Sequence, residues 1–162
     1  LKQALALLLT VNRIPQLYYG TEVLMNGTKE ITDGYVRKDF PGGFPGDTHN
    51  AFTAEGRTKA ENAMFNWLSR LLHWRKGNSV ITKGSQTQFI PYQGVYAIAR
   101  QYNGKTVLTI LNGKSTAATM QVKRYAEVIG SNARVKDVLT NRYYDLSKDV
   151  ELRPRQVLVL EY

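Results

Sequence analysis

Cysteine is missing altogether from these 162 residues. Disulfides, thiolate nucleophiles and cysteine metal ligands are therefore excluded from this segment, while the compartment stays unassigned, because many secreted proteins also lack cysteine. Histidine is nearly missing, with 2 copies, His49 in a loop-like stretch and His73 in a helix-like one, so no metal site is expected. No cofactor is expected either. The glycine-rich FPGGFPGD lacks the Lys-Ser/Thr of a phosphate loop, so its glycines and prolines shape the chain, and no Ser-His-Asp pattern stands in a convincing context. No apolar run reaches membrane-spanning length, and LKQALALLLT lacks a basic leader and a small-residue cleavage site, so no membrane partner is expected. A starting methionine is absent too, and the expectation is that Leu1 is a cut point within something longer.

Acids are scarce, 13 against 22 basic residues, leaving a net charge of +9. Residues 1–77 contribute +3 and 78–162 contribute +6. The basic residues are scattered, with runs no longer than pairs such as Arg37-Lys38, Arg75-Lys76 and Lys123-Arg124, and no aromatic-basic signature of an RNA module accompanies them. A solvated basic surface is expected, and no nucleic-acid partner. A basic interaction domain would instead show binding that falls steeply with salt.

What is present is enough apolar residue, 43%, to build a core. Leucine, alanine and glutamine make Leu1 to Asn12 read as the tail of a helix stopped by Asn12 and Pro15. Ile14 to Tyr19 reads as a short strand apolar on both faces, which suits a parallel sheet covered by helices. From Thr21 to Gly56 periodicity disappears in a long loop, and loops of that length are usually functional. Its Tyr35, Phe40, Phe44 and Phe52 argue for an ordered one. Thr58 to Lys76 is the clearest helix, opened by a Thr58/Glu61 capping box, striped with Ala60, Met64, Trp67, Leu68 and Leu71, and ended by Gly77. Trp67 and Trp74 read as packing residues. After Gly77 the period changes to two. FIPYQ, VYAIARQY and KTVLTIL read as strands, the last two joined by Asn103-Gly104, the strongest short hairpin signal. AATMQV, YAEVIG, RVKDVL, RYYDL and QVLVLEY follow as further strands of an antiparallel sandwich.

In an α/β sheet the place for chemistry is the carboxyl end of a strand and the loop after it. Tyr18, Tyr19, Gly20, Glu22, Asp33, Arg37, Asp39, Asp47 and His49 lie there. Tyrosine faces pack against sugar C–H surfaces, while carboxylates and an arginine fork hydrogen-bond hydroxyls, so the set suits a polyhydroxylated ligand. Asp33-Gly34 is also an ordinary turn signal, and Glu22 fits a local hydrogen-bond network as well as a substrate.

Four stretches carry a resemblance. IPQLYYGTE is similar to the last barrel strand of the alpha-amylase family, glycoside hydrolase family 13. RKDFPGGFPGD resembles the following loop in its neopullulanase and cyclomaltodextrinase-like branch, and GVYAIARQYNGKTVLTILN with QVLVLEY resembles the edges of its C-terminal domain. The resemblance implies an α+β chain: the end of a (β/α)8 barrel over 1–77, with the end of helix 7, strand 8, a long loop and helix 8, then an all-β antiparallel sandwich over 78–162. It implies that Tyr18, Tyr19 and Gly20 close the eighth strand and that Glu22 turns the chain into a site-lining loop. The family's sugar-binding aspartate, followed four residues later by an arginine, has its spacing in Asp33 and Arg37. Tyr18, Tyr19, Glu22, Asp33 and Arg37 are thus the candidate substrate-binding residues.

No catalytic residue is expected in this chain. Retaining glycoside hydrolysis needs two carboxylates about 5–5.5 Å apart, and the family places its catalytic acids on the fourth, fifth and seventh strands, upstream of Leu1. The expectations are a parent enzyme acting on α-1,4-linked glucans or maltooligosaccharides, and a chain inactive by itself whose partner is its own upstream barrel. A homodimer through the exposed barrel-remnant surface is the competing partner, and a stand-alone carbohydrate-binding sandwich the competing function. A lone parallel strand leaves its ladder unpaired, so Leu1 to about Gly56 is expected to be disordered, rearranged or paired with another copy.

Overall fold

The computed structural model describes residues 1–30, 32–131 and 134–162. They form two compact units, one made of Leu1–Pro15 with Leu71–Tyr162 and the other of Gln16–Arg70.

The first unit is built on a six-stranded antiparallel sheet. In chain order its strands are β1 (Ser85–Gln88), β2 (Val95–Tyr102), β3 (Lys105–Asn112), β5 (Arg134–Asp137), β6 (Tyr143–Asp145) and β8 (Val157–Glu161), and their spatial order is β1-β2-β3-β8-β5-β6. A second, two-stranded sheet pairs β4 (Ala118–Met120) with β7 (Val150–Leu152). The β2–β3 hairpin closes where the sequence placed it. Asn103 (φ 48°) and Gly104 (φ 75°) are both left-handed, as a two-residue turn with matching twist requires.

Alternation along the strands splits the side chains between two covered faces. Val95, Ala97, Ala99, Leu108, Ile110, Leu158 and Leu160 pack with Met120, Leu152, Val128 and Ile129 from the small sheet and from α4 (Ala126–Ile129). The opposite face, with Ile98, Val107, Thr109 and Val159, is buried as well. It lies under α1 (Lys2–Thr10) and α3 (Ser79–Lys83), which pack on β2, β3 and β8. Leu5, Leu9, Val80 and Ile81 are buried there, each contributing about 1.5–3 kcal/mol if fully withdrawn from water.

The expected strand over Ile14 to Tyr19 does not form. The segment has no regular secondary structure and joins no ladder, and Ile14 is 96% exposed. A parallel strand needs neighbours on its hydrogen-bonding edges, and none stands beside this one among the described residues. Within Leu1 to Asn12 the expected helix does form, over Lys2–Thr10, and it covers the sheet. Two further strands are corrected. YAEVIG is the helical turn α4, ended by Gly130 at φ 59°, and FIPYQ is a loop after β1 with Ile90 82% exposed. The short helix α3 and the strand β7 had no clear sequence signal.

Two arginines hold the C-terminal end of α1. Arg100 on β2 is wholly buried. It donates from Nη1 to Thr10 O (3.1 Å), from Nη2 to Gly84 O (2.6 Å) and Asn12 Oδ1 (3.4 Å), and from Nε to Ser85 O (3.3 Å). Arg75 donates to Leu9 O at 2.9 Å and to Arg13 O at 3.3 Å. Of these acceptors, Leu9 O and Thr10 O are carbonyls that an α-helix leaves unpaired at its end, and a cation there also suits the helix dipole. Burial lowers the pKa of both guanidiniums, with the charge of Arg75 adding to the effect at Arg100.

The second unit contains the long loop and most of α2 (Lys59–Lys76). The capping box is formed: Glu61 N donates to Thr58 Oγ1 (3.2 Å) and Thr58 N to Glu61 Oε2 (2.7 Å). Met64, Leu68 and Leu71 are buried as the stripe implies, whereas Ala60 is exposed.

Candidate functional site

Tyr18 and Tyr19 end the unpaired segment, and Gly20 is the pivot that follows. Gly20 sits at φ 83°, and a Cβ there would stand 2.2 Å from Met25 Sδ, so no other residue fits without displacing that side chain. Gly20 O accepts from both Val23 N and Met25 N, folding Thr21–Val23 into a tight 3-10 turn that carries Glu22. The two tyrosine rings lie 4.5 Å apart at 37°, and both are about half exposed, 55% and 44%. Tyr19 O–H donates to Lys38 O at 2.7 Å, while Lys38 Nζ lies 4.9 Å from the Tyr35 ring centroid. The Tyr19 phenol is pushed above its ordinary pKa, mainly by hydrogen bonding with the Tyr18 side chain, with Asp39 adding and Arg37 opposing. The segment Tyr35 to Asp39 is therefore laid against the tyrosine pair.

Asp33 and Gly34 open the 3-10 turn Asp33–Val36. The Asp33 carboxylate reaches Lys29 Nζ at 3.8 Å, an exposed pair of little energetic weight. Asp47 closes the turn of PGGFPGD, its Oδ2 accepting from Gly42 N (2.8 Å) and Phe44 N (3.1 Å). Arg57 then ties the loop's end. Its Nε donates to Ala51 O at 2.8 Å, Nη2 to Phe52 O at 3.1 Å, and its guanidinium lies 3.6 Å from the Phe65 ring centroid. His49 meets Glu61 at 3.1 Å, so it is tied to a helix cap and belongs to no cluster. Among the described residues no group of carboxylates and histidines is placed to hold a metal ion.

Residues 86–161 match the family model described as the cyclo-malto-dextrinase C-terminal domain. A cyclomaltodextrin glucanotransferase of Paenibacillus macerans is 30% identical over 117 residues, 72% of this chain and 14% of that protein. A cyclomaltodextrinase of Thermoanaerobacter pseudethanolicus is 28% identical over 115 residues, 71% of this chain and 17% of that protein. In fold, the chain superimposes on AmyP, solved in complex with maltose, with a TM-score of 0.73 at 20% identity, covering 99% of this chain and 33% of AmyP. The chain belongs to the alpha-amylase family. It spans about a seventh to a sixth of the length of these curated relatives.

In this alpha-amylase-family chain, the sandwich over β1 to β8 is the C-terminal domain. Of the sequence-chosen residues, the structure groups Tyr18 and Tyr19, with the charges of Arg37 and Asp39 acting on Tyr19. Asp33 is engaged with Lys29, and Glu22 rides on the turn after Gly20. Sequence reasoning missed the carbonyl of Lys38 as the anchor of Tyr19, because a backbone acceptor leaves no trace in residue type. It also missed Arg57, whose role shows only once the chain returns to α2.

Proposed function

We propose that the chain is the C-terminal part of a retaining α-glucan hydrolase acting on α-1,4-linked glucans, with 1–77 descended from the end of its (β/α)8 barrel and 78–162 its sandwich. The observation that carries this is the half-exposed Tyr18–Tyr19 pair, locked by Gly20 and by the Lys38 carbonyl at the head of an ordered loop. Paired aromatic faces beside arginine and carboxylate side chains suit sugar rings and their hydroxyls. The family's members named above act on or bind such sugars, which supports the same ligand class here.

In this reading Tyr18, Tyr19, Glu22, Asp33 and Arg37 contact substrate, and none of them cleaves it. The chain's own role is structural, with a share of the substrate-binding loop. Coverage of 99% of the chain by AmyP, residues before the sandwich included, supports this over a free carbohydrate-binding module. Helix α1 does not separate the two readings, because covering the sheet serves either. The exposed Ile14 and Tyr18 belong, on this reading, against the preceding part of the parent rather than a second copy, and sedimentation equilibrium distinguishes the two.

The test is to assay the purified chain on soluble starch and to titrate it with maltotriose, alongside Tyr18→Ala and Tyr19→Ala. No release of reducing ends is expected, with weak binding lost in both variants. Turnover by the purified chain would overturn its inactivity. Binding to the loop that survives both substitutions would overturn the assignment of the tyrosines.

A further inference from the structure

Within the sheet-bearing unit a groove of about 520 Å³ opens where the last turn of α2 meets the ends of β3 and β8. Its volume falls within the roughly 300–1,000 Å³ of small-ligand sites. Trp74 lines it, and the indole Nε1–H donates to Glu161 Oε2 at 2.7 Å. That bond holds the ring plane before any ligand arrives, which reduces the ordering cost of binding. Lys105 and Ser79 also line the groove and form no ion pair or side-chain hydrogen bond among the described residues. The Tyr162 hydroxyl is committed to Val128 O at 2.6 Å and its ring packs against the core around Val128, so the aromatic face of the groove is that of Trp74.

The lining side chains carry one carboxylate, Glu161, and one ammonium, Lys105, and these offset each other. A net-charged ligand would find no excess of opposite charge. A neutral ligand with apolar ring faces and many hydroxyls would find an aromatic surface, an acceptor in Glu161 and donors in Lys105 and Ser79.

We propose that this groove binds a neutral oligosaccharide, through residues wholly different from the Tyr18–Tyr19 pair. The choice of an α-1,4-linked glucan as probe rests on the function proposed above. Gly77 supplies a clean means of blocking the groove it lines: a Cβ there meets nothing within 4 Å, and its backbone lies outside the left-handed region.

The experiment is a titration of the whole ¹⁵N-labelled chain with maltotriose, followed by amide shifts. Saturable shifts are expected at residues 77–80, 105–107 and 161–162, with a Kd on the order of 1 mM. Gly77→Leu and Lys105→Ala, each with an otherwise native spectrum, are expected to weaken these shifts at least about fivefold, a loss near 1 kcal/mol by the tenfold-per-1.4 kcal/mol relation. Tyr18→Ala is expected to leave them unchanged. Groove shifts that persist in Gly77→Leu would overturn the proposal. So would tighter binding of inorganic phosphate at the same amides, which would make the groove an anion site. Shifts confined to Tyr18 and Tyr19 would overturn it while leaving the proposed function standing.

Discussion

Replacing Arg100 with methionine removes the clamp on α1 while keeping an apolar side chain of similar length. Two of the lost bonds end on fully buried acceptors, Thr10 O and Gly84 O, and two more on the partly buried Ser85 O and Asn12 Oδ1. Each buried acceptor stripped of its donor costs about 1–3 kcal/mol, so the two deepest bonds alone set a loss of roughly 2–6 kcal/mol. Against this, methionine relieves the desolvation of a buried cation, which here faces only neutral acceptors and has Arg75 as a like-charged neighbour. The net expectation is a loss of about 2–4 kcal/mol in the sheet-bearing unit. For a chain of this size that corresponds to a fall in Tm of roughly 4–16 °C. Urea unfolding followed by Trp74 fluorescence in a Trp67→Phe background measures it, because Trp74 belongs to that unit. A loss under about 1 kcal/mol would refute the reasoning, since it would mean that water or neighbouring donors satisfy the abandoned carbonyls at little cost.

Two further outcomes are expected. The pKa of Glu61 is lowered below 4.5, first by the backbone hydrogen bond from Thr58, and further by the Thr58 hydroxyl and by His49. A depressed carboxylate pKa stabilises above the unfolded-state value and loses that contribution as pH falls through the folded one. The protection of amides in the first turn of α2, measured against their intrinsic exchange rates, is therefore expected to fall as pH drops from about 5 to 3, and that loss is expected to vanish in Glu61→Gln. Thr109 Oγ1 is buried and has no hydrogen-bond partner among the described residues. Thr109→Val removes the orphaned hydroxyl and keeps the branched shape, so the variant is expected to be more stable by about 1 kcal/mol in urea unfolding; a loss would show that the hydroxyl finds a partner.

Legibility in the sequence followed the range of the interaction involved. The Thr58/Glu61 box and the Asn103-Gly104 turn are local, written within four residues, and both form as read. Ile14 to Tyr19 carries the composition of a buried strand, but a strand is a relation to a neighbour, and composition does not supply one. Val128 and Ile129 look like strand residues because their β-branched side chains fit a sheet, yet the same side chains fill the core from the single helical turn α4. Arg100 was invisible for the opposite reason. Arginine in VYAIARQY reads as the solvent side of a half-exposed strand, and only the arrival of α1 on that face turns it into an interior residue. At the candidate site the aromatic pair was legible as residue types, whereas the groove beside Trp74 joins positions 74, 105 and 161, too far apart in sequence for any motif.

The covering of the sheet by α1 bears on how this domain can be excised. A protein engineer guided by the family match would cut near residue 86 and obtain a piece lacking both helices that shield the outer face. Ile98, Val107 and Val159 would then meet solvent as one apolar strip, and Arg100 would lose its bonds to Thr10, Asn12, Gly84 and Ser85. Such a piece is a poor candidate for soluble expression. A better graft would splice Leu1–Pro15 ahead of Leu71–Tyr162 through a short flexible linker, treating two sequence-distant segments as a single transplantable module.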